Sequence, residues 1–149
     1  YKKLPFAKHS IVNRSAMRKN AKEKMQQYQV RASGKSGVDT QVRLLSGGNQ
    51  QKLIIARELT DSAKLIIASQ PTRGLDIGAT EFVRQQLINQ RNAGKAVMLI
   101  SADLEEIMAL SDRIAVLFGG KIVGVLSREE ATVQKIGLLM GGISEEEEK

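Results

Sequence analysis

A chain of 149 residues that is 42% hydrophobic and 26% charged holds enough apolar material for one globular core. With no cysteine and a single His9 it has no disulfide framework, thiolate metal site or histidine cluster, and no apolar run approaches the roughly eighteen residues of a membrane-spanning helix. The net charge of +7 is concentrated in residues 1–31, where Lys2, Lys3, Lys8, Arg14, Arg18, Lys19, Lys22, Lys24 and Arg31 face Glu23 alone, and the chain ends in the acidic "SEEEEK".

Aromatic residues are only 3% of the chain, and none interleaves with the basic run as a base-stacking platform requires. The charge is therefore read as a solvated helix face or a contact for an acidic partner, and nucleic acid is disfavoured. The opening "YKKLPFAKHS" lacks the apolar block of a secretory signal.

In chain order, "SAMRKNAKEKMQQYQV" (15–30) predicts a polar helix with Ser15 as its cap and Met17, Ala21, Met25 and Tyr28 along one stripe. The loop "RASGKSGVDT" follows. "SGGNQQKLIIARELT" predicts a second helix that turns Leu53, Ile54, Ala56 and Leu59 to a core. "KLIIAS" and "AVMLIS" predict strands buried on both faces, and between them "GATEFVRQQLINQRNAGK" predicts a helix ended by Gly94. "DLEEIMALS" is a short helix capped by Asp103, with Glu106 at its third position. Gly119 and Gly120 join "RIAVLF" to "KIVGVL" as a two-residue hairpin, and Ser127 with Glu130 forms a capping box that opens a last helix towards Met140. Strands alternating with helices predict a parallel α/β sheet finished by an antiparallel hairpin.

Two glycine-rich stretches invite a phosphate-binding reading. "SGKSG" fails it: the phosphate-cradling loop needs another glycine five positions before Gly34, where Gln29 stands, and a buried strand before that, where a charged helix stands. It is a connector. "LSGGNQQ" (45–51) survives, because glycines in a helix cost about 1 kcal/mol each relative to alanine and so call for a reason. One reason is close approach: bare backbone at Gly47 and Gly48 lets helix-start amides point at an anion, and the Ser46 hydroxyl adds a donor. The other is that Ser46 only caps the helix and the glycines sit in a turn. The stretch by itself leaves both open.

In combination the motifs are more specific. "LSGGNQQKLIIAREL" resembles the signature loop and helix of the ATP-binding cassette (ABC) ATPases, and "LIIASQPTRGLD" resembles their Walker B strand and D-loop. "VMLISADLEEIMALSDRIAVLFGGKIVG" resembles their switch strand and helix followed by the terminal hairpin. The likeness runs in order through about residues 44–127. Within the family it is nearest to the second cassette of tandem-cassette importers for simple sugars and nucleosides. The resemblance implies a partial P-loop NTPase fold: 1–60 in the helical signature subdomain, 61–143 in the later part of the ATPase core, and 144–149 as an acidic tail. The Walker A loop, the adenine-stacking aromatic and the Q-loop are expected to precede Tyr1 in a longer polypeptide. The chain alone is therefore expected to be inactive and, lacking the first strands, to expose apolar sheet surface and self-associate.

The resemblance also marks departures. Ser69 stands where the family has an aspartate supporting the magnesium shell, Gln70 where it has the glutamate that polarises water, and Ala102 where it has a histidine contacting the γ-phosphate. A single Gln70 suits an engineered trap; three changes together favour a naturally degenerate site with no intact catalytic residue and no metal of its own. In this family two cassettes pack head to tail, so retention of "LSGG" implies donation to the partner's ATP. Ser46, Gly47 and Gly48 are then expected at the γ-phosphate, Asn49 and Gln50 towards the ribose, and Asp76 in hydrogen bonds across the interface. The implied cofactors are ATP and Mg2+, held mainly by the partner cassette. The implied partners are that cassette, an integral-membrane permease and, indirectly, a solute-binding protein, with the chain peripheral to the cytoplasmic face of the membrane. A soluble tandem-cassette ATPase acting on ribosomes or nucleic acid is the alternative.

Overall fold

The computed structural model describes residues 6–8, 11–32, 37–59 and 62–143; His9, most of the "SGKSG" connector and the acidic tail lie outside the described residues. The chain divides into two compact units, Tyr1–Ile66 with Pro71–Val97, and Ile67–Gln70 with Met98–Lys149.

The first unit opens with a short antiparallel pair, β1 (Ala7–Lys8) and β2 (Ile11–Val12), which sequence patterning did not reveal. Helix α1 (Arg14–Gln27) follows. Its cap is Asn13 rather than Ser15: Asn13 has the extended backbone a cap requires, and its side-chain oxygen accepts from Ala16 N at 3.0 Å. No residue within α1 is fully buried. Of the expected stripe, Met25 packs on the core and Tyr28, just past the helix, is buried, while Met17 is exposed. Single 3-10 turns at Gly37–Asp39 and Val42–Leu44 carry the chain onward, and an ion pair between Arg18 and Asp39 ties the first of them to α1.

Helix α2 (Gly47–Glu58) buries Ile55 and Ala56, and Leu59 at its end is buried too. Ile54, expected to face the core, is exposed, because Ile55 and Leu59 one turn apart define the inward face and Ile54 sits about 100° away from it. Helix α3 (Ile77–Asn92) presents Ala79, Val83 and Leu87 at four-residue spacing. Val83 is wholly buried beside Tyr28, Val30, Ile55, Ala56 and Leu59, forming the core of this unit. Gly94, in the left-handed region, stops the helix as expected.

Strands β3 (Leu65–Ser69) and β4 (Ala96–Ile100) are hydrogen-bonded parallel neighbours. Lys64 O accepts from Ala96 N at one end of the pair, and Ile100 O accepts from Gln70 N at the other. Neither strand is buried on both faces. Exposed and half-buried residues alternate along each, leaving Leu65, Ile67, Met98 and Ile100 open. Period-two exposure of this kind means the described residues cover one face only, so the continuous apolar run was a guide to strand formation but not to its depth.

In the second unit, Asp103 caps α4 (Leu104–Leu110) by accepting from Glu105 N and Glu106 N at 3.0 and 3.2 Å. Strands β5 (Arg113–Phe118) and β6 (Lys121–Ser127) pair antiparallel, with Phe118 opposite Lys121. Gly119 and Gly120, at φ 56° and 77°, make the left-handed two-residue turn that this register demands. Ile114, Val116 and Leu126 of the hairpin pack with Ala131 and with Ile136 and Leu139 of α5 (Val133–Met140).

The capping box is present, since Ser127 N donates to Glu130 Oε2 at 2.9 Å and Glu130 N donates to Ser127 Oγ at 3.3 Å. It closes a turn rather than opening the helix, which starts only at Val133 with Thr132 as its cap, accepting from Lys135 N at 3.1 Å. The Ser127 amide, and then its hydroxyl, hold the Glu130 carboxyl below the usual range.

Two outcomes follow from these caps. Asn13→Ala should cost about 1 kcal/mol in denaturant unfolding of the chain, while Ser15→Ala should fall within about half of that. Because the folded pKa of Glu130 is depressed, the stabilisation from its box is complete above the ordinary carboxylate range and is lost as pH falls through the lowered folded value. A side-chain NMR titration should place its midpoint below the ordinary carboxylate range, and Ser127→Ala should move it part of the way back up.

Candidate functional site

The residues singled out from the sequence fall into two groups. Ser46, Gly47, Gly48, Asn49, Gln50 and Asp76 belong to the first unit, and Ser69, Gln70 and Ala102 to the second.

Ser46 caps α2 with an extended backbone. Its Oγ accepts from Asn49 Nδ2 at 2.9 Å and, less closely, from Asn49 N at 3.4 Å, so its own proton remains available as a donor. Asn49 is held from the other side as well: its Oδ1 accepts from Arg31 N at 2.7 Å. Gln50 donates from N to Ser46 O and from Nε2 to Leu45 O, both at 2.9 Å, which clamps the turn before the helix. The amides of Gly47 and Gly48 have no partner among the described residues. They start a 12-residue helix whose dipole makes this end partly positive.

The two glycines are not equivalent. A β-carbon on Gly47 would meet nothing within 4 Å, whereas one on Gly48 would lie 2.8 Å from the Ala79 Cβ and 3.4 Å from Asp76 Oδ2. Gly48 is buried and Gly47 exposed. Neither reading of the sequence anticipated the reason for Gly48, which is required by packing of α2 on α3; Ser46 does cap the helix, the glycines lie within its first turn, and the backbone at Gly47 is unobstructed. Asp76 caps α3, with Oδ1 accepting from Ala79 N at 2.8 Å, and its other oxygen lies beside Gly48. A cavity of about 310 Å³ between α1 and α2, lined by Ala21, Met25, Val30, Leu45, Leu53 and Ala56 among others, is separate: none of the predicted site residues lines it.

In the second unit Ser69 ends β3, Gln70 follows it, and Ala102 lies two residues beyond the end of β4. Parallel pairing puts all three at the carboxyl end of the two strands, where open α/β sheets take ligands. Ser69 and Ala102 are exposed and Gln70 is half-buried. None of the three is ionisable, and among the described residues no group of three His, Cys, Asp or Glu side chains could hold a metal ion. Gln70 adds a feature that composition did not signal, a left-handed backbone at φ 48° pinned by its backbone N–H, which donates to Ile100 O at 2.7 Å. An unbranched, non-glycine residue held this way costs on the order of 1 kcal/mol or more, and such strain gathers at functional positions.

The chain as a whole is similar to proteins of known kind. The guanosine import ATP-binding protein NupO of Bacillus subtilis (strain 168) is 50% identical over 147 residues, 99% of this chain and 28% of that protein. The nucleoside import ATP-binding protein NupA of Lactococcus lactis subsp. cremoris (strain MG1363) is 46% identical over 142 residues, 95% of this chain and 28% of that protein. Among solved structures, the dimeric ATP-binding cassette MJ0796 in a post-hydrolysis state with ADP and Pi superposes with a TM-score of 0.64 at 26% identity, over 81% of this chain and 51% of that one. The chain belongs to the ABC ATPases. A second cassette, MJ1267 of an ABC transporter, shares the fold with a TM-score of 0.64 at 21% identity, covering 90% of this chain and 50% of that one. No family model matches. This ABC ATPase chain spans little more than a quarter of the length of the two relatives named.

The contrast between the glycines is directly measurable. Gly48→Ala should destabilise the chain by about 1–3 kcal/mol through overpacking against Ala79, whereas Gly47→Ala should stay within about 1 kcal/mol of neutral. In denaturant unfolding, adding Ala79→Gly to Gly48→Ala should recover part of the loss, a coupling expected only between residues in contact.

Proposed function

We propose that this chain is the later part of the second nucleotide-binding domain of a tandem-cassette importer for nucleosides or simple sugars. It lends its signature loop to an ATP held by the other cassette, while its own site is degenerate. Relatives named as import proteins for guanosine, nucleosides, glucose and ribose support the cargo class. The observation that carries the proposal is the open start of α2, where the unpartnered Gly47 amide, the space around it and the Ser46 hydroxyl proton point one way chemically, towards an anion.

In the proposed assembly ATP, with Mg2+, supplies the transferable phosphoryl group. The Ser46 hydroxyl and the helix-start amides donate hydrogen bonds to its terminal phosphate, and because Asn49 and Gln50 already fix the turn, little reorganisation is required as charge shifts during transfer. Asn49 and Gln50 lie beside the ribose, and Asp76 at the head of α3 faces the partner cassette. Residues 1–60 serve as the helical subdomain, 61–143 as part of the ATPase core and 144–149 as a tail. Ser69, Gln70 and Ala102 give this cassette's own site neither the charge a magnesium ion prefers nor a proton acceptor for water.

Closure of the two cassettes on ATP then drives an integral-membrane permease through alternating states, with cargo delivered by a solute-binding protein. The chain itself sits at the cytoplasmic face; among the described residues no helix is long and apolar enough to cross a membrane.

Ser46→Arg in the complete polypeptide should lower ATP turnover by about a hundredfold or more without unfolding it, since it fills the anion position and removes a donor, while the lost helix cap costs only about 1 kcal/mol. Unchanged turnover overturns the reading. The complete polypeptide should also purify with an integral-membrane protein; recovery with RNA instead would favour a soluble tandem-cassette ATPase.

A further inference from the structure

We propose that Gln51 is a positioning residue that locks the signature helix to the D-loop, so that both are presented to the partner cassette as one rigid piece. The inference rests on the reading that Ser46 and Gly47 face an ATP held by that partner.

Gln51 sits on the first turn and a half of α2, and its Nε2 donates to Pro71 O at 2.8 Å in a half-buried hydrogen bond between residues 20 apart in sequence. Pro71 is itself buried and begins the loop that leads, through a turn closed by Leu75 N on Thr72 O at 3.1 Å, to Asp76 at the head of α3. The end of that loop is held too: the absent β-carbon of Gly48 leaves the space occupied by Ala79 and the second Asp76 oxygen. The loop from 71 to 76 is thus fastened to α2 at both ends, by a directed hydrogen bond at its start and by close packing at its finish. With either fastening released, the free amides of α2 and the Asp76 side chain could shift independently.

The neighbouring amide of Gln50 is spent locally on Leu45 O, so Gln51 alone among the polar residues of this stretch reaches the loop. The link needs a donor of this length, because Pro71 O can only accept. Methionine keeps the reach and helix propensity but has no donor, glutamate at neutral pH opposes lone pairs to the carbonyl, and lysine restores a donor.

The test uses the complete polypeptide assembled with its permease, with ATP as substrate. Loss of one half-buried hydrogen bond should make Gln51→Met and Gln51→Glu lower kcat about three- to tenfold, with KM for ATP changed less than about twofold and the melting temperature lowered by only a few degrees, which Gln51→Lys restores. Gln51→Lys should recover at least about half of the lost kcat, which mere filling of space would not achieve. An unchanged kcat in Gln51→Met overturns the proposal. So does a fall in kcat and melting temperature together without recovery by lysine, which marks a packing role only. Ser46→Arg in the same assembly separates the two levels: if it abolishes turnover while Gln51→Met does not, the signature reading stands and this inference fails, and if Ser46→Arg has no effect both fail.

Discussion

The approach of α2 to α3 at Gly48 is the contact on which the rest of the first unit depends. It sets the depth at which the signature helix seats, and it brings Ala79 and the Asp76 carboxylate against bare backbone. Ile55, Ala56 and Leu59 can then close over Val83 at the centre of the core. A single missing methyl group therefore couples the stability of the unit to the direction in which the first amides of α2 point. The adjacent Gly47 is under no such packing demand.

Polar side chains around the signature are mostly committed within the chain. Asn49 bridges Ser46 and the Arg31 amide, Gln50 holds Leu45, Gln51 holds Pro71, and Asp76 caps its helix. At the helix start itself, the backbone amides of Gly47 and Gly48 and the Ser46 hydroxyl proton remain uncommitted among the described residues. That arrangement suits the phosphate-binding role proposed for the loop, because donors fixed in advance do not have to be reoriented when charge appears. The positions at the ends of β3 and β4 differ in kind. They keep a strained backbone at Gln70 but carry no charge that could use it.

Much of this was legible in the sequence where one residue type has one physical use. Gly119 and Gly120 announced the left-handed hairpin, Gly94 the end of α3 and Asp103 the start of α4, each through chemistry that needs no distant partner. Errors arose where two neighbours could do the same job. Asn13 and Ser15 both suit a cap, Ile54 and Ile55 both suit a core, and the Ser127–Glu130 box suits either a turn or a helix start; tertiary context chose. The depth of β3 and β4 could not be read at all, since an apolar run records which residues tolerate burial and not which faces are covered. The packing role of Gly48 and the backbone of Gln70 depend on elements far away in the chain, so no local pattern encodes them.

The left-handed conformation of Gln70 restricts what evolution can place there. Valine, isoleucine and threonine are strongly disfavoured by their branched Cβ, while glycine and asparagine adopt this backbone more readily. Glutamine tolerates the bend and nearly matches glutamate in outline, so on the proposed reading it keeps the backbone frame of a water-polarising position without its proton acceptor. On the proposed reading, a Gln70→Glu exchange would return a carboxylate to a backbone already bent to hold it, while Ser69 and Ala102 would still lack the charge and the imidazole that the resemblance expects beside it.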